Sequence, residues 1–484
     1  MTVSARRILA NTAYRLIADV GAKIASIALV VVMARELGDS RFGVYAFAFA
    51  LVTLVTALGD FGQDKILTRE VTRVPARVDR YFLNTLVLKL TVSLPALALA
   101  VAVLVFGGAD RTTKAVVVLL GLVVIVELLS ATVFATYQAY EELRYIPVVL
   151  LTERFLAAIV GIVALLLGAG VVTLAAILLG AALVAFALAL ALLFRRVVRP
   201  RLVLDVGAWP ALMRAAAPIG LAGVFSVVLF RIDAVLLAAF ESDDVVGHYG
   251  AAYRLFETTL FISWAVGAAV YPGLSRSSRT SSPPVSIVYG RSVKLLVALS
   301  LPVAAGTAVL AAPAVELIFG DEFADAADAL RLLAPAVALY PVGYLASYLL
   351  VSQDRSSLVT LTYAVVAVQN IAFNLVLIPA FSLQGAALTT SISELLAVVL
   401  LVWFGRSYVE RAEWSRALIG PVTASALATA VMATLAGELA LAAAAGAGVY
   451  VVALVLIERA VFPQDARALW TSLRPAGGRP LPPD

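Results

Sequence analysis

Val171 to Phe194 reads VVTLAAILLGAALVAFALALALLF, and Arg195, Arg196, Arg199 and Arg201 follow directly. A membrane-crossing helix needs about 20 mostly apolar residues, and this stretch supplies them without a single charge. An outer-membrane barrel strand would alternate apolar and polar over roughly ten residues, and this run, like Val116 to Val126, does not. Helix is therefore the spanning element. Outward from this stretch the chain keeps the same character. Of 484 residues, 62% are hydrophobic and 14% charged, against about 45–50% and 25% in soluble domains. Comparable stretches lie at roughly 13–34, 42–62, 81–106, 115–139, 146–168, 171–194, 213–240, 246–272, 291–318, 327–351, 357–380, 383–405, 417–437 and 439–461. The expected fold is an all-α integral membrane protein with about 14 transmembrane helices.

The cations test that count, because an error of one helix would invert every later loop. On one side fall Arg6 and Arg7, Lys65 to Arg80, Arg144, Arg195 to Arg201, Arg276 to Arg291, Arg355, Arg406 to Arg416 and Arg459 to Arg479. The other side holds only Arg35, Arg41, Arg111 and Lys114, with Arg331 just inside a helix end. Lys and Arg concentrate on the cytoplasmic side of membrane proteins, so both termini are expected in the cytoplasm of a cell-membrane protein. The first apolar segment superficially fits a secretory signal. It runs about 20 residues, contains Lys23 and lacks a small-residue cleavage site, so it reads as a retained helix. No connection exceeds about 20 residues, too short for an independent domain of roughly 50 or more. The Pro- and Gly-rich tail from Arg474 to Asp484 is expected to be disordered. The absence of cysteine excludes disulfides and thiolate metal sites. The net charge of +5 is a topology signal and says little about nucleic acid, which is not an expected partner.

The two halves share an aligned patch. Gly43, Tyr45, Ala48 and Leu51 correspond to Gly247, Tyr249, Ala252 and Leu255 at one constant offset, each set opening a span after a short loop. Matched topology implies parallel repeats about an axis along the membrane normal. The expected organisation is an N-terminal six-helix lobe at 1–204, a C-terminal six-helix lobe at 205–407 around a central cavity, and helices 13 and 14 with a tail at 408–484.

Many ionisable residues fall inside spans: Arg15, Asp19 and Lys23 in the first, Asp60 in the second, Lys89 in the third, Glu127 in the fourth, Glu153 and Arg154 in the fifth. Arg231 and Asp233 follow in the seventh, Arg254 and Glu257 in the eighth, and Glu394 in the twelfth. At roughly 2.5–3.5 kcal/mol each, they cannot all face hydrocarbon. Arg15, Asp19 and Lys23 recur every four residues on one stripe, and Arg254 and Glu257, three apart, share a face with Tyr253 beside them. Arg231 and Asp233, two apart, point in nearly opposite directions, and Arg231 is the one expected to face the cavity. Arg15, Lys23, Arg231 and Arg254 are thus candidate ligands for a phosphate-bearing headgroup, because guanidinium forks match phosphate oxygens. The competing reading is internal ion pairing of Arg15 or Lys23 with Asp19, and of Arg254 with Glu257. For Lys89 and Arg154, about two turns from a span end, snorkelling competes at least equally. Asp19, Asp60, Glu127, Asp233, Glu257 and Glu394 are candidates for ion coupling or pairing. Gln369, Asn370 and Asn374 could contact sugar hydroxyls or couple an ion, with interhelical hydrogen bonding as the alternative. Pro218, Pro302, Pro335 and Pro341 are candidate bends.

His248 is the single histidine and has no partner for a metal site or catalytic triad; its expected role is interfacial. No phosphate-binding Gly-rich loop is present, so no catalytic residue, metal or ATP-hydrolysing site is assigned. Energy would come from a proton or sodium gradient, the membrane potential or the substrate gradient.

The run ARELGDSRFGVYAFAFALVTLVTALGD from Ala34 to Asp60, continuing as FGQDKILTRE, resembles the start of Wzx-type polysaccharide flippases of the multidrug, oligosaccharidyl-lipid and polysaccharide exporter superfamily. RIDAVLLAAFESDDVVGHYGAAYRLFE from Arg231 to Glu257, LIFGDEFADAADALRLLAP from Leu317 to Pro335, and NLVLIPAFSLQGAALTTSISE from Asn374 to Glu394 are similar to later family segments. The resemblance covers about residues 8–406. It implies alternating-access transport of an undecaprenyl-diphosphate-linked oligosaccharide to the outer leaflet for cell-surface polysaccharide synthesis, with Arg254 and Asp233 as the marks carried over by position. Implied partners are that polyprenyl-diphosphate-linked glycan, membrane lipid, and the polymerase and glycosyltransferases of the same pathway. Family members commonly have twelve helices, and in related lipid II flippases an extra pair forms a lipid-tail groove. A drug exporter of the same superfamily is the nearest alternative, although its usual cationic substrates suit an Arg-rich cavity poorly. A membrane glycan polymerase is a further one, although its usual large outer loop is missing.

Overall fold

The computed structural model describes residues 5–280, 284–408 and 411–461; side chains are described within these except at 5–20, 218–219, 268–269, 271–272, 275–280 and 411–417. Among the described residues fourteen α-helices follow one another: α1 (Ala5–Thr56), α2 (Gln63–Arg73), α3 (Val78–Phe106), α4 (Arg111–Ala139), α5 (Tyr145–Leu166), α6 (Val171–Leu192), α7 (Trp209–Phe240), α8 (Asp243–Thr280), α9 (Val285–Val309), α10 (Ala311–Phe319), α11 (Ala326–Ser352), α12 (Ser356–Gly405), α13 (Arg411–Thr434) and α14 (Leu439–Val461). No strand occurs among the described residues. The protein is an all-α, multi-pass membrane protein. Among the described residues nine helices are long and apolar enough to cross a membrane, one of them the 53-residue stretch Ser356–Tyr408.

The fourteen helices and the fourteen expected spans are not the same set. α1 takes up the first two expected spans, divided at Gly38, whose φ of 75° and ψ of 174° interrupt the helix. α12 carries two more, divided at Ser382 with φ 52° and ψ −134°. α2 and α10, at 11 and 9 residues, are too short to cross. Glycine suits the positive φ at position 38, whereas Ser382 adopts a conformation unusual for a residue with a Cβ.

The second span ends earlier than the sequence implied. It was expected to reach residue 62 with Asp60 inside it; α1 stops at Thr56, and Asp60 lies in a turn. Two glycines account for this. A Cβ on Gly59 would lie 2.0 Å from Ser93 Oγ, so the turn approaches α3 closely there, and Gly62 has φ 82°. The chain then forms α2, which buries Ile66, Leu67 and Val71 on one face and leaves Lys65, Arg69 and Arg73 outside. That is the three- and four-residue periodicity of an amphipathic helix.

Contacts divide the chain into two compact units. The first comprises Met1–Ala251, Ile318–Asp325 and Tyr363–Thr389. In it α6 presents Ala175, Ala181, Ala182, Ala185 and Ala189 as a buried small-residue face, with α4 and α5 packed against the helix. Small residues let helix backbones approach where lipid supplies no hydrophobic drive between them.

The second unit comprises Ala252–Leu317, Ala326–Thr362 and Thr390–Asp484. Here α13 packs on α9 and α14 around buried Ala424, Ala428, Met432, Ala442 and Tyr450. Tyr450 donates to the Ala298 carbonyl at 2.6 Å, and Lys294 on α9 pairs with Glu458 on α14 at 2.5 Å. α14 is therefore fastened to α9 by polar contacts within the span, and α13 packs against both. A hollow of about 420 Å³ on α13 and α14 is lined by Leu427, Gly448, Val449, Val452, Ala453, Leu456 and Ile457, all apolar.

Candidate functional site

Lys89 is the clearest departure from expectation. Its side chain is 1% exposed, and its Nζ contacts Asp64 at 2.6 Å, Asp60 at 3.3 Å and the Leu128 carbonyl at 2.9 Å. Thr132 donates to the second Asp64 oxygen at 2.8 Å. The ammonium hydrogen-bonds Asp64 and the Leu128 carbonyl, and Asp60 adds an ion-pair contact. Snorkelling is thus overturned: the third span holds this lysine inside, where a node of charges ties α3 to α4, α2 and the turn before it. Asp64 lies just beyond the span that the sequence predicts to end at residue 62, so the in-span charges do not include it. Its spacing of four from Asp60 was the available signal.

Arg154 is also held by partners. Its guanidinium contacts Glu127 on α4 at 2.9 Å and Glu153 at 3.8 Å. Glu153 is buried, with 8% of its side chain exposed, while Glu127 and Arg154 are half-buried. Two carboxylates therefore share one guanidinium, so this cluster carries no cationic excess. On α7, Arg231 lies 5.1 Å from the centre of the Phe49 ring, a cation–π distance. Asp233 is buried and accepts the Tyr249 hydroxyl, so the two α7 charges are engaged separately. Lys23 is partly buried on α1. Arg15 and Asp19 lie outside the residues whose side chains are described.

In the second unit Arg254 pairs with Glu257 at 3.3 Å, both partly buried. Tyr253 turns to Phe256, 5.4 Å between ring centres, in an edge-on packing. Glu394 is partly buried on α12. In the first unit, Asn374 donates to Asn370 at 2.9 Å and both are buried, while Gln369 is partly buried. The structure therefore gathers the named residues into several small clusters along the helices. No group of three or more His, Cys, Asp or Glu able to hold a metal occurs among the described residues.

The repeat patch has a physical counterpart within the first unit. A Cβ added to Gly43 would lie 1.7 Å from the Asp243 carbonyl oxygen, and one added to Gly247 would lie 2.2 Å from the Asp39 carbonyl oxygen. The contact is reciprocal: each glycine abuts the carbonyl four residues before its repeat partner. The two repeats thus touch, backbone on backbone, at equivalent positions. His248, expected at an interface, is buried beside this crossing. Its Nε2 lies 2.9 Å from the Glu322 carbonyl and 3.4 Å from Asp39, and its ring packs edge-on against Phe323.

The fold is shared with solved membrane proteins. A lipid II flippase, MurJ in an inward closed conformation, superposes with a TM-score of 0.78 at 13% identity, covering 92% of this chain and 98% of that one. An inward-facing multidrug resistance MATE transporter of the MOP superfamily superposes with a TM-score of 0.66 at 15% identity, covering 80% and 94%. Within that fold, the family described as polysaccharide biosynthesis protein matches residues 8–278, and the chain belongs to it. A probable low-salt glycan biosynthesis flippase, Agl15 of Haloferax volcanii, is 27% identical over 197 residues. An uncharacterized membrane protein of Methanocaldococcus jannaschii is 25% identical over 195 residues. These matches cover 40% of this chain and span 42% and 38% of the two relatives.

Proposed function

We propose that this protein is a flippase that moves a polyprenyl-diphosphate-linked oligosaccharide from the cytoplasmic to the outer leaflet of the cell membrane by alternating access. The family match over residues 8–278 carries this reading. The chemistry of the spans supports it. Arg254, Arg231 and Lys23 place cations within helices otherwise built for lipid, and guanidinium groups suit a diphosphate better than the cationic substrates usual for drug exporters. The apolar hollow on α13 and α14 offers surface suited to a polyprenyl chain. The orientation that goes with this reading has both termini in the cytoplasm, as the distribution of Lys and Arg favours. Resetting would draw on a proton or sodium gradient through acidic groups such as Asp19, Glu127 and Glu257. The polymerase and glycosyltransferases of the pathway would act on either side of this step.

The test is Arg254→Ala. The expected result is loss of lipid-linked oligosaccharide export at unchanged protein abundance, since the diphosphate loses a charge-assisted partner. Full export by this variant would remove Arg254 from the mechanism. The MATE likeness in fold keeps drug export as the second reading, and resistance to a cationic drug conferred without any glycan phenotype would favour it.

A further inference from the structure

Tyr340, Tyr344 and Tyr348 recur every four residues along α11, a spacing that puts side chains on one stripe about 12 Å long. The rings follow one another. Tyr340 and Tyr344 stack with centres 5.8 Å apart at 19°, and Tyr344 meets Tyr348 at 4.8 Å and 68°. Their polar tips are linked too: the Tyr344 and Tyr348 hydroxyls are 2.8 Å apart, and Trp264 on α8 donates to the Tyr340 hydroxyl at 3.1 Å. Gly267 makes room for the row, since a Cβ there would lie 2.6 Å from Tyr344 and 2.8 Å from Tyr348.

Packing alone does not explain this arrangement. Trp264 is 44% exposed and each tyrosine is partly exposed, so the row keeps uncovered aromatic surface. Tyrosine and tryptophan collect at membrane interfaces, yet Tyr340 lies twelve residues, about 18 Å, from the Ser352 end of α11 and therefore near mid-span. Hydroxyls and an indole N–H are poorly placed against hydrocarbon at that depth, which favours a polar neighbour. The row also continues a charged face: Trp264 is seven residues, two turns, beyond Glu257 on α8, whose carboxylate is met by Arg254.

We propose that Trp264, Tyr340, Tyr344 and Tyr348 form a saccharide-stacking subsite that takes neutral sugar rings of the lipid-linked substrate. A pyranose offers C–H faces to aromatic rings and hydroxyls to the Tyr hydroxyls, the two surfaces this row presents together. The carboxylate nearest along α8, Glu257, is already paired, so a cationic guest gains less here than a neutral one. The inference rests on the flippase reading and deepens it.

The test uses full-length protein in nanodiscs and two synthetic probes, polyprenyl diphosphate bearing a neutral tetrasaccharide and the same lipid without sugar. Trp264→Ala, at an exposed position, and Tyr344→Ala should each weaken binding of the glycosylated probe about tenfold while leaving the bare lipid within about twofold. Tyr344→Phe, which keeps the ring, should retain most of the affinity. Equal losses for both probes, or no loss in Trp264→Ala, would overturn the subsite with the flippase reading intact. Wild-type protein that binds neither probe would overturn both. Binding of tetraphenylphosphonium that depends on the same residues would replace the saccharide with a cation.

Discussion

The two ends of the second span are fastened by opposite means. At its start, Gly43 meets the Asp243 carbonyl and Gly247 meets the Asp39 carbonyl, with no side chain from either glycine. Just beyond its end, Asp60 and Asp64 hold the buried ammonium of Lys89. A contact between backbones is limited by shape, and its polar groups already belong to helix ladders. A buried ion node is limited by charge, since any group left behind keeps its desolvation cost. Parting the crossing would therefore leave no charge without its partner, whereas the node must move as one body. On these grounds the glycine end costs less to separate than the lysine end.

The largest effect expected from breaking this contrast comes from Lys89→Met, which keeps length but leaves two carboxylates without their cation. Removing one partner of a buried pair typically costs about 3–5 kcal/mol, so thermal stability and membrane yield should fall sharply. Adding Asp64→Asn should recover part of the loss, because the double change removes both buried charges. A Lys89→Met protein as stable as wild type would mean that the node is solvated and does not organise α2, α3 and α4. Gly43→Ala should act more gently and differently. Its methyl group collides with backbone, and overpacking costs roughly 1–3 kcal/mol as the helices separate. The chain has no native cysteine, so Val246→Cys, at a buried position beside the crossing, serves as a reporter. Maleimide labelling there should accelerate in Gly43→Ala, and by reciprocity in Gly247→Ala. Unchanged labelling in both would deny that the crossing sets access.

How far the sequence led differs between these regions for physical reasons. Spans were legible because hydrocarbon imposes one length and one polarity on every helix, and the paired glycines were legible because the repeat put them at equal offsets. The partners of the buried charges were not. Lys89 and Arg154 lie near span ends, where a free side chain would snorkel, and only packing shows that Asp64 and Glu127 reach them first. α2 was hidden for a related reason: its apolar face is three residues wide, too short to register as a span, and its cations fit the charge pattern of a connection between spans. Tyr340, Tyr344 and Tyr348 stood at a visible four-residue spacing, but apolar and aromatic residues are so common in spans that the pattern carried no weight without Trp264 and Gly267 opposite.

The smallest effect expected is electrostatic and belongs to the glycine end. Asp110 caps α4 through the Thr113 and Thr112 amides, and hydrogen bonding, first from the Thr113 side chain and then from these amides, holds its carboxyl below the ordinary range. Asp243, whose carbonyl meets Gly43, has its carboxyl pushed up, first by burial and then by the neighbouring charges of Asp110 and Asp244. The two shifts act in opposite senses. A raised carboxyl binds a proton more readily in the folded protein, so Asp243 favours folding at low pH and loses that contribution as pH rises through its folded value. A lowered carboxyl contributes above the ordinary range and is lost as pH falls through its own lower value. Asp243→Asn should therefore flatten the decline in thermal stability on going from the ordinary carboxylate range upward. Asp110→Ala should cost about 1 kcal/mol of capping at neutral pH and, by removing one charge beside Asp243, bring the Asp243 carboxyl back toward its usual range. Melting temperatures of the three proteins across acidic to neutral pH separate these effects, and a profile for Asp243→Asn parallel to wild type would show that the crossing is governed by shape alone.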